Sequence, residues 1–431
     1  MEPDGPVEIA QDRRPSVLIV GGGFAGLQAA KQLAGAPVDV TIVDTHNFHT
    51  FLPLLYQVAT AGLEPADVAY PIRTIFGKAS NITFRHGTVR HIDHAAKTVT
   101  LAGGDVLSFD HLVLASGATA AYFGIPGAKE HAFPLYTLAN ARKLRNTILL
   151  ALEDADAKGP EVAGPITFVV VGGGPTGVET SGAVTELLDI CIRRDRLRID
   201  PSKTRVILVD VATRVLTAFP ESASTYTAAQ LTKMGVDLRL GTSVTSVDAT
   251  GVTLDSGEHL DSAAVIWAAG VTASGTIADQ VAQEAGPSGR IKVAADLSVD
   301  EERTVWAIGD AAAVPSGIGD DICPQLAPVA IQSGKHCGRQ IRNVLEGRPT
   351  TAFRFRNKGI MATIGRRAAV AKLPKGPIIK GTLGWLAWLN LHLYYLVGFR
   401  NRIRVMVNWT WRYLDWPSGP RLIVADAETA E

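Results

Sequence analysis

A glycine-rich unit that occurs twice along the chain restricts the possible folds more than any other feature of the sequence. In the first copy an apolar, strand-like run leads into Gly21, Gly23 and Gly26, which have the G-x-G-x-x-G spacing. The first glycine permits a tight turn, the second lets backbone approach a pyrophosphate, and the third lets a helix pack closely on the strand. The start of that helix, with Phe24 and Ala25, offers N–H groups to phosphate oxygens. This copy predicts a dinucleotide site at the start of the fold.

The same pattern returns in the middle of the chain. Another apolar run is followed by Gly172, Gly174 and Gly177 in the same three roles. After each copy the next strand-like run ends in an acid, Asp44 or Asp210, where a carboxylate can accept a hydrogen bond from a ribose hydroxyl. A strand–turn–helix–strand–acid unit rarely occurs twice by chance, so the repeat predicts two dinucleotide sites on one chain.

Further strand ends carry residues suited to a cofactor. Ala115 and Gly117 follow one apolar run, and Gly270 follows a run of similar sequence in the second half. A later run ends in Gly309 and Asp310, where the acid is placed to bond a polar cofactor chain. An acid in this place is often a helix cap instead. Its position after two dinucleotide units favours the ligand interpretation.

Length and pattern together predict the fold class. A chain of 431 residues exceeds one ordinary core, so two or three domains are expected. The repeat predicts an α/β fold with two Rossmann-like dinucleotide-binding domains. Residues 138–152 have the apolar spacing of a helix. A small antiparallel insertion is expected from four strand-like runs, residues 82–86, 89–92, 98–101 and 106–109.

Charge and cysteine content exclude several classes of protein. With 42 basic and 42 acidic residues, the chain has no overall bias toward nucleic acid, and none is expected as a partner. Basic residues are frequent and acids few between positions 335 and 421, which favours an anionic surface as partner there. The first residues lack the basic and apolar regions of a secretory signal, so none is expected. A reducing compartment and no metal site are expected because no C-x-x-C is formed by Cys191, Cys323 and Cys337.

The most apolar part of the chain is residues 380–399. Its length approaches the ~20 residues of a membrane span. Asn390, His392 and several Trp and Tyr residues favour a helix that lies in the membrane interface, and a buried core helix is the alternative. Arginines at 400, 402 and 404 would meet lipid head groups.

The segment that follows carries a conflicting signal. Between positions 403 and 413 every second residue is apolar, which taken alone predicts a strand. Trp409, Trp411 and Trp416 are candidate anchors at a membrane interface.

These features together resemble the two-dinucleotide flavoprotein superfamily, in which the outer two motifs bind FAD and the middle one binds NAD(P)H. Within it, the chain is similar to type II NADH:quinone oxidoreductases over nearly its whole length. Three segments carry this resemblance: HTFLPLLYQVAT at 49–60, GIMATIGR at 359–366 and GFRNR at 398–402. The resemblance implies a helix, not a strand, at 403–413 and a C-terminal segment that associates with a membrane.

The resemblance also implies residues near the reaction. Glu179 matches the family's acid that faces the nicotinamide and the flavin, whereas the sequence alone allows equally a first-turn acid that complements the helix dipole. The family motif A-Q-x-A-x-Q, beside the flavin and the quinone, corresponds to residues 327–332. Ala327 and Gln332 are retained, but Pro328 replaces the first Gln, which weakens the implied quinone contact there.

The expected function is FAD-dependent oxidation of NADH with two-electron transfer to a membrane quinone, without proton pumping. Asp210 favours NADH over NADPH because a carboxylate repels a 2′-phosphate, and the nearby Arg214 moderates this preference. Quinone, a lipid surface and a second copy in a homodimer are the expected partners, at the cytoplasmic face of the cell membrane. The expected domains are 1–160 and 291–350 for FAD, 161–290 for NADH, and 351–431 for membrane association.

Two other functions fit the same pattern. A sulfide:quinone oxidoreductase shares this fold but needs cysteines beside the flavin, and Cys323 is the cysteine best placed for that role, soon after Asp310. A non-catalytic flavin-binding scaffold or redox sensor at the membrane surface is the third interpretation. The electron donor separates the three interpretations. Reduction of the flavin by NADH supports the NADH:quinone oxidoreductase, reduction by sulfide only supports the sulfide:quinone oxidoreductase, and reduction by no donor supports the scaffold.

Overall fold

The computed structural model describes residues 13–274, 280, 285–319, 321–414 and 421–424. Its strands are β1 (Ser16–Val20), β2 (Asp39–Asp44), β3 (Phe48–Thr50), β4 (Ala69–Pro71), β5 (Ile82–His86), β6 (Val89–Asp93), β7 (Thr98–Leu101), β8 (Val106–Ser108), β9 (His111–Leu114), β10 (Ala118–Ala120), β11 (Phe133–Pro134), β12 (Ile166–Val171), β13 (Thr204–Asp210), β14 (Val236–Leu240), β15 (Val244–Val247), β16 (Gly251–Leu254), β17 (His259–Asp261), β18 (Ala264–Trp267), β19 (Val271–Ala273), β20 (Val305–Ala307), β21 (Ile360–Gly365), β22 (Ala368–Lys372) and β23 (Ile378–Lys380).

The α-helices are α1 (Phe24–Leu33), α2 (Leu55–Ala59), α3 (Pro65–Val68), α4 (Ile72–Ile75), α5 (Ala128–His131), α6 (Leu138–Lys158), α7 (Pro175–Arg193), α8 (Glu221–Lys233), α9 (Ala327–Leu345), α10 (Gly381–Tyr395) and α11 (Phe399–Leu414). Short 3₁₀ helices occur at Leu52–Leu54, Pro201–Lys203, Pro287–Gly289 and Gly309–Ala311. The helix predicted over 138–152 is confirmed and extends to Lys158.

The chain divides into two compact units. The first unit comprises the chain to His49, Pro71–Ala118 and Thr272–Arg356. The second comprises Thr50–Tyr70, Thr119–Val271 and the chain from Asn357. Each unit contains one of the two glycine-rich copies, so the sequence repeat is also a structural repeat.

The first unit is built on a parallel sheet with the strand order β20-β9-β1-β2-β5. Strand β1 lies at its centre, with Val17 opposite Val40 on one side and His111 on the other. Helix α9 packs closely on α1 because it presents glycines: a Cβ on Gly334 would lie 2.2 Å from the carbonyl oxygen of Ala25. The central position of β1 places its glycine loop at the middle of the carboxyl edge of the sheet.

One strand prediction is wrong. The run 82–86 does not join the antiparallel insertion but pairs in parallel with β2, whereas β6, β7 and β8 form the antiparallel sheet. The buried amide of Asn81 donates to the carbonyls of Leu33 and Val38 at 2.9 Å and ties the start of β5 to the start of β2. These hydrogen bonds join residues more than forty positions apart. The spacing of apolar residues along the chain cannot reveal such a contact.

The second unit repeats the parallel sheet, with the strand order β11-β18-β12-β13-β14. Two antiparallel sheets, β15-β16-β17 and β21-β22-β23, complete it. Helix α7 approaches β21 so closely that a Cβ on Gly182 would lie 1.7 Å from the carbonyl oxygen of Ile364. The predicted α/β class with two Rossmann-like sheets is confirmed.

Residues 403–413 are helical in α11, as the family resemblance implied, so the strand alternative is wrong. Val405 and Trp409, four residues apart, are buried, while Ile403, Val407 and Trp411 are exposed. Both faces of this helix carry apolar residues, which produces the alternation seen in the sequence.

Buried polar contacts hold α11 to the segment around α3. Asp67, fully buried, accepts a hydrogen bond from the Asn408 amide at 2.9 Å and lies 3.1 Å from the Arg404 guanidinium. Trp409 Nε1 donates to Gln57 Oε1 at 2.9 Å. Along the described stretches of the chain, no helix has both the length and the apolar character that crossing a bilayer requires.

Candidate functional site

The first glycine loop has the geometry that its spacing predicts. Gly21 has a φ of +109°, and a Cβ there would lie 2.2 Å from the carbonyl oxygen of Ala115. A Cβ on Gly26 would lie 1.9 Å from the carbonyl oxygen of Gly21. A Cβ on Gly23, at the N-cap of α1, would meet no atom of the described residues within 4 Å other than those of its chain neighbours. A side chain at Gly23 would therefore fill a cradle at the helix N-terminus, where phosphates bind.

Asp44 fixes this loop. Its Oδ2 accepts a hydrogen bond from the Gly22 N–H at 2.6 Å, and its Oδ1 accepts one from the His46 N–H at 2.7 Å. Each carboxylate oxygen can accept more than one hydrogen bond, so a ribose contact stays compatible with this arrangement. The sequence predicted a ribose contact for Asp44 but not this hydrogen bond to the Gly22 N–H, which clamps the loop.

The second loop repeats these contacts. Gly172 has a φ of +112°, and a Cβ on Gly177 would lie 1.7 Å from the Gly172 carbonyl oxygen. At Gly174, too, a Cβ would find the surrounding space open over the part of the chain that the structure describes, apart from its chain neighbours. Asp210 accepts hydrogen bonds from the N–H groups of Gly173 and Ala212. The two units thus share the acid-to-loop clamp as well as the glycine spacing.

The strand ends beside the two loops also correspond. Gly117, after β9, has a φ of +72°, and Gly270, after β18, has a φ of +149°. A Cβ on Gly172 would lie 2.5 Å from the Ala268 carbonyl oxygen, as Gly21 would meet Ala115 in the first unit.

Arg214 turns back onto its own loop. Its guanidinium donates to the carbonyls of Thr217 and Phe219 and to the hydroxyl of Ser224, at 2.8–3.0 Å. These bonds direct its charge toward the carbonyls of its own loop. We therefore expect Arg214 to weaken the preference for NADH over NADPH, which Asp210 provides, less than the sequence alone suggests.

Asp310 has a buried oxygen that finds no hydrogen-bond partner among the described residues. It lies inside the 3₁₀ helix Gly309–Ala311 and caps no helix, and its Oδ1 is enclosed without a hydrogen-bond donor. Burial raises the pKa of the Asp310 carboxyl to about 6, although the nearby Arg290 opposes the shift. A buried acceptor without a donor is costly unless a ligand supplies one, so Asp310 fits a hydroxyl-bearing cofactor.

His49 is buried beside the first loop. Its Nδ1 lies 3.1 Å from the carbonyl oxygen of Gly22, and burial lowers its pKa to about 4. The ring is therefore neutral at pH 7, with the proton on Nδ1, because a carbonyl oxygen can only accept. A neutral ring is a poorer proton donor than an imidazolium.

Glu179 is the strongly perturbed acid of the second unit. Desolvation raises its pKa to about 8. Its Oε1 accepts two hydrogen bonds, from the Thr363 N–H and from Trp388 Nε1, both at 3.2 Å. At pH 7 the carboxyl is protonated, and the two donors on Oε1 leave Oε2 to carry the proton. Glu179 is the fifth residue of α7, beyond the first turn, so it is not the dipole-complementing acid that the sequence also allowed.

Aromatic packing holds Trp388 against this acid. Its indole stacks on the His392 ring, with centroids 4.0 Å apart, and lies 5.9 Å from the Trp409 ring. A cavity of about 30 Å³ adjoins the carboxyl, lined among others by Tyr56, Gln57 and Thr363. A cavity of this size accepts one or two water molecules. The approach of α7 to β21 at Gly182, which sequence reasoning missed, brings Glu179 within reach of Thr363.

Gln332 and Ala327 lie on α9 of the first unit. Ala327 begins the helix, and Pro328 occupies its second position, where a missing N–H costs no hydrogen bond. The Gln332 side chain donates to the carbonyl of Arg356 and accepts from its N–H, both at 3.0 Å. Its amide is thus already paired with backbone.

The three cysteines are buried and form no disulfide. Burial raises the pKa of the Cys191 thiol to about 12 and also raises those of Cys323 and Cys337. Thiols of this kind are weak nucleophiles because little thiolate forms at pH 7.

The last two helices expose a set of large apolar side chains, which we call the C-terminal apolar surface: Leu383, Leu386, Leu391, Tyr394, Phe399, Ile403, Met406, Val407 and Trp411. Of the predicted Trp anchors, Trp411 belongs to this surface, Trp409 is buried, and Trp416 lies outside the described residues.

The sequence matches known protein families along nearly its whole length. Residues 15–334 match the pyridine nucleotide-disulphide oxidoreductase family, and residues 357–415 match the NDH2 C-terminal domain. The chain is 38% identical to the type II NADH:quinone oxidoreductase Ndh of Mycobacterium tuberculosis, over 99% of this chain and 94% of that protein. It is 39% identical to NdhA of the same organism, over 92% of this chain and 86% of that protein.

Solved structures agree on the fold. NDH2 from Plasmodium falciparum, determined in complex with NADH, superimposes with a TM-score of 0.86 over 95% of this chain and 100% of that chain, at 18% identity. The sulfide:quinone oxidoreductase of Aquifex aeolicus is more distant, with a TM-score of 0.72 at 16% identity over 94% of this chain and 96% of that chain.

Proposed function

The chain belongs to the type II NADH:quinone oxidoreductase family, and on that premise we propose how its own residues serve the reaction. It is a flavoprotein enzyme that oxidises NADH and reduces a quinone. When bound, FAD supplies the redox chemistry, accepting two electrons from NADH and passing them to the quinone. The observation that best supports the assignment of sites is the acid-clamped glycine loop that occurs once in each unit.

We assign FAD to the first unit. The cradle at Gly23 and the clamped loop suit its pyrophosphate, Asp44 its ribose, and the unpaired Oδ1 of Asp310 a hydroxyl of its polar chain. The remaining contacts assigned to FAD come from the predicted positions Gly21, Phe24, Ala25, Gly26, Ala115, Gly117, Gly309 and Ala327. In domain terms, these FAD residues fall within the expected ranges 1–160 and 291–350, of which 50–70 and 119–160 belong to the second unit.

We assign NADH to the loop of the second unit, within residues 161–290. Gly172, Gly174 and Gly177 would hold the pyrophosphate, Gly270 would flank it, and Asp210 would accept from the adenosine ribose. Arg214, engaged with its own loop, is poorly placed to recruit a 2′-phosphate.

Asp210→Asn tests the coenzyme assignment. The amide cannot accept both the Gly173 and Ala212 N–H groups, and it no longer repels a 2′-phosphate. We expect the rate constant for flavin reduction by NADH to fall about tenfold, with a smaller loss for NADPH. Stopped-flow reduction by NADH, NADPH and sulfide measures this and also tests the function itself. An unchanged NADH-to-NADPH ratio would remove Asp210 from the site, and reduction by sulfide alone would overturn the enzyme assignment.

Glu179 is the proposed proton donor for the reduced quinone. Its proton on Oε2 is retained at neutral pH by burial, and the adjoining cavity offers room for a water path. We place Gln332 on the quinone side, where it would contact a quinone only after exchanging one of its bonds to Arg356. The buried thiols argue against the sulfide alternative.

We propose that the C-terminal apolar surface, within residues 351–431, docks on the cytoplasmic face of the membrane as a peripheral contact. Exposed Trp and Tyr beside apolar residues suit the lipid interface, and Arg400 beside Phe399 suits anionic head groups. A homodimer would bury the same side chains against a second copy.

The double substitution Phe399→Ser and Trp411→Ser tests this contact. These side chains are 77% and 58% exposed, while the inward Val405 and Trp409 that hold α11 are left intact. We expect the fraction bound to vesicles with anionic lipid to fall about tenfold or more, since each large apolar side chain contributes ~1.5–3 kcal/mol on burial. Val162→Ser, at a side chain 75% exposed, is the control that should not change binding. Unchanged vesicle binding together with a dimer that dissociates in the double variant would assign the surface to dimerisation.

A further inference from the structure

Phe123 combines two features that are unfavourable for a large apolar residue. Its side chain is 68% exposed, and its backbone has a φ of +53°, in the left-handed region. Residues other than Gly, Asn and Asp rarely adopt this conformation. It persists only where the surroundings enforce it, and such strain is concentrated at functional sites.

The residues around Phe123 are firmly held. The Ala121 carbonyl accepts a hydrogen bond from Trp267 Nε1 at 2.7 Å, and the Ala121 N–H donates to the Gly270 carbonyl at 3.0 Å. The Tyr122 ring packs on Trp267 with centroids 5.8 Å apart, and the Tyr122 carbonyl accepts the Ile125 N–H at 3.0 Å. The turn therefore fixes its neighbours to the second sheet and projects the Phe123 ring into solvent.

The ring stands at a definite place on the second sheet. Its edge lies 3.2 Å from the Cβ position of Gly270, the glycine that follows β18. Strand β18 neighbours β12 on the side opposite β13, whose end carries Asp210. Gly172, which follows the middle strand β12, therefore lies between Gly270 and Asp210 along this edge of the sheet.

This order decides which half of NADH would reach Phe123. In a Rossmann-like sheet the dinucleotide crosses the carboxyl edge, with the adenosine ribose at the acid and the pyrophosphate at the glycine loop. The chain of NADH would therefore run from Asp210, past Gly172–Gly177, toward Gly270. The nicotinamide nucleotide half lies at the end where the Phe123 ring stands.

We propose that Phe123 is a substrate-contacting residue that packs its ring on the nicotinamide nucleotide half of NADH. This inference rests on the proposed NADH site at the second loop. An exposed, rigidly presented aromatic ring loses little conformational freedom when a planar or ribose group covers it, and the covered apolar area stabilises the complex. The strained turn holds the ring in place before NADH arrives.

Phe123→Ala and Phe123→Tyr in the full-length holoenzyme test the proposal. We expect Phe123→Ala to raise the KM for NADH and the inhibition constant of NAD⁺ about tenfold. The inhibition constant of ADP, which lacks both the nicotinamide and its ribose, and the KM for quinone should change less than about twofold. Phe123→Tyr keeps the ring and should behave as the parent. Val162→Ala is the matched control for loss of an exposed apolar side chain in the same unit.

The outcomes separate the proposal from its premise. An unchanged KM for NADH in Phe123→Ala, or an equal rise in the inhibition constants of ADP and NAD⁺, overturns the assignment of Phe123. An equal rise means that the ring contacts the adenosine half or that its loss destabilises the folded protein. A lowered melting temperature of Phe123→Ala would identify destabilisation as the cause. If Asp210→Asn also leaves the inhibition constant of ADP unchanged, the NADH site itself is wrong.

Discussion

Gly177→Ala is expected to slow reduction of the flavin by NADH about 100-fold while leaving a flavin-loaded protein. The new Cβ would lie 1.7 Å from the carbonyl oxygen of Gly172. Helix α7 must therefore move away from the glycine loop that precedes it. Overpacking typically costs ~1–3 kcal/mol, and here the obstacle is backbone that cannot rotate aside. A shift of about 1 Å in a binding loop can cost about 100-fold in rate, and stopped-flow reduction at saturating NADH measures it.

Two matched variants test whether the effect is specific to the second glycine loop. Gly26→Ala creates the same clash in the first unit, 1.9 Å from the Gly21 carbonyl oxygen, and is expected to yield protein without flavin. In Gly174→Ala the new Cβ would meet none of the residues that the structure describes within 4 Å, its chain neighbours aside, so the fold should be unaffected and NADH affinity should fall. If Gly177→Ala lost flavin and Gly26→Ala kept it, the assignment of the two cofactors would have to be exchanged.

Glu179→Gln is expected to slow quinone reduction about 100-fold, the usual contribution of a positioned proton donor. The amide oxygen can still accept from Thr363 and Trp388, so the packing is preserved while the proton on Oε2 is lost. In the parent enzyme quinone reduction should decline as pH rises through about 8, the pKa of the folded carboxyl. The variant should lack this decline, which a pH series of steady-state rates would reveal.

The same group links stability to pH. The pKa of Glu179 is raised from 4.5 to about 8, so between these values the folded state keeps a proton that the unfolded state has lost. The free energy of unfolding therefore falls as pH rises from 4.5 to about 8 and levels off above it. Relative to the parent, Glu179→Gln should gain stability by a few kcal/mol across this range.

An exposed acid on a neighbouring helix provides the control for both measurements. Glu153 lies exposed on α6, and Glu153→Gln should change neither the rate profile nor the pH dependence of unfolding. A Glu179→Gln protein that kept the parent's pH dependence of unfolding would show that another group titrates in this range.

The glycine loops illustrate how much local sequence determines. The roles of Gly21, Gly26, Gly172 and Gly177 follow from spacing alone, because the tight turn and the close helix approach are properties of a few consecutive residues. The structure agrees with those roles to the individual carbonyl that each Cβ would strike. The clamps from Asp44 and Asp210 onto Gly22 and Gly173 needed the tertiary structure, because they join residues 22 and 37 positions apart.

Contacts between distant segments account for what the sequence could not decide. Strand β5 pairs with β2 because Asn81 ties their starts together, and α11 is a helix because Val405 and Trp409 pack inward. Gln332 shows the same limit for a functional residue: its motif implied a quinone contact, and folding pairs its amide with Arg356.

The sequence by itself determined the two dinucleotide units, the α/β class and the family, since all three rest on local motifs and their repetition. Only the tertiary structure decided the protonation of Glu179 and the exposure of Phe123. A carboxyl keeps its proton at pH 7 because segments 184 and 209 residues away enclose it, at Thr363 and Trp388. The Phe123 ring is presented because Trp267, 146 residues beyond Ala121, holds its turn. Desolvation and backbone strain arise from the whole environment of a residue, which no run of neighbouring letters contains.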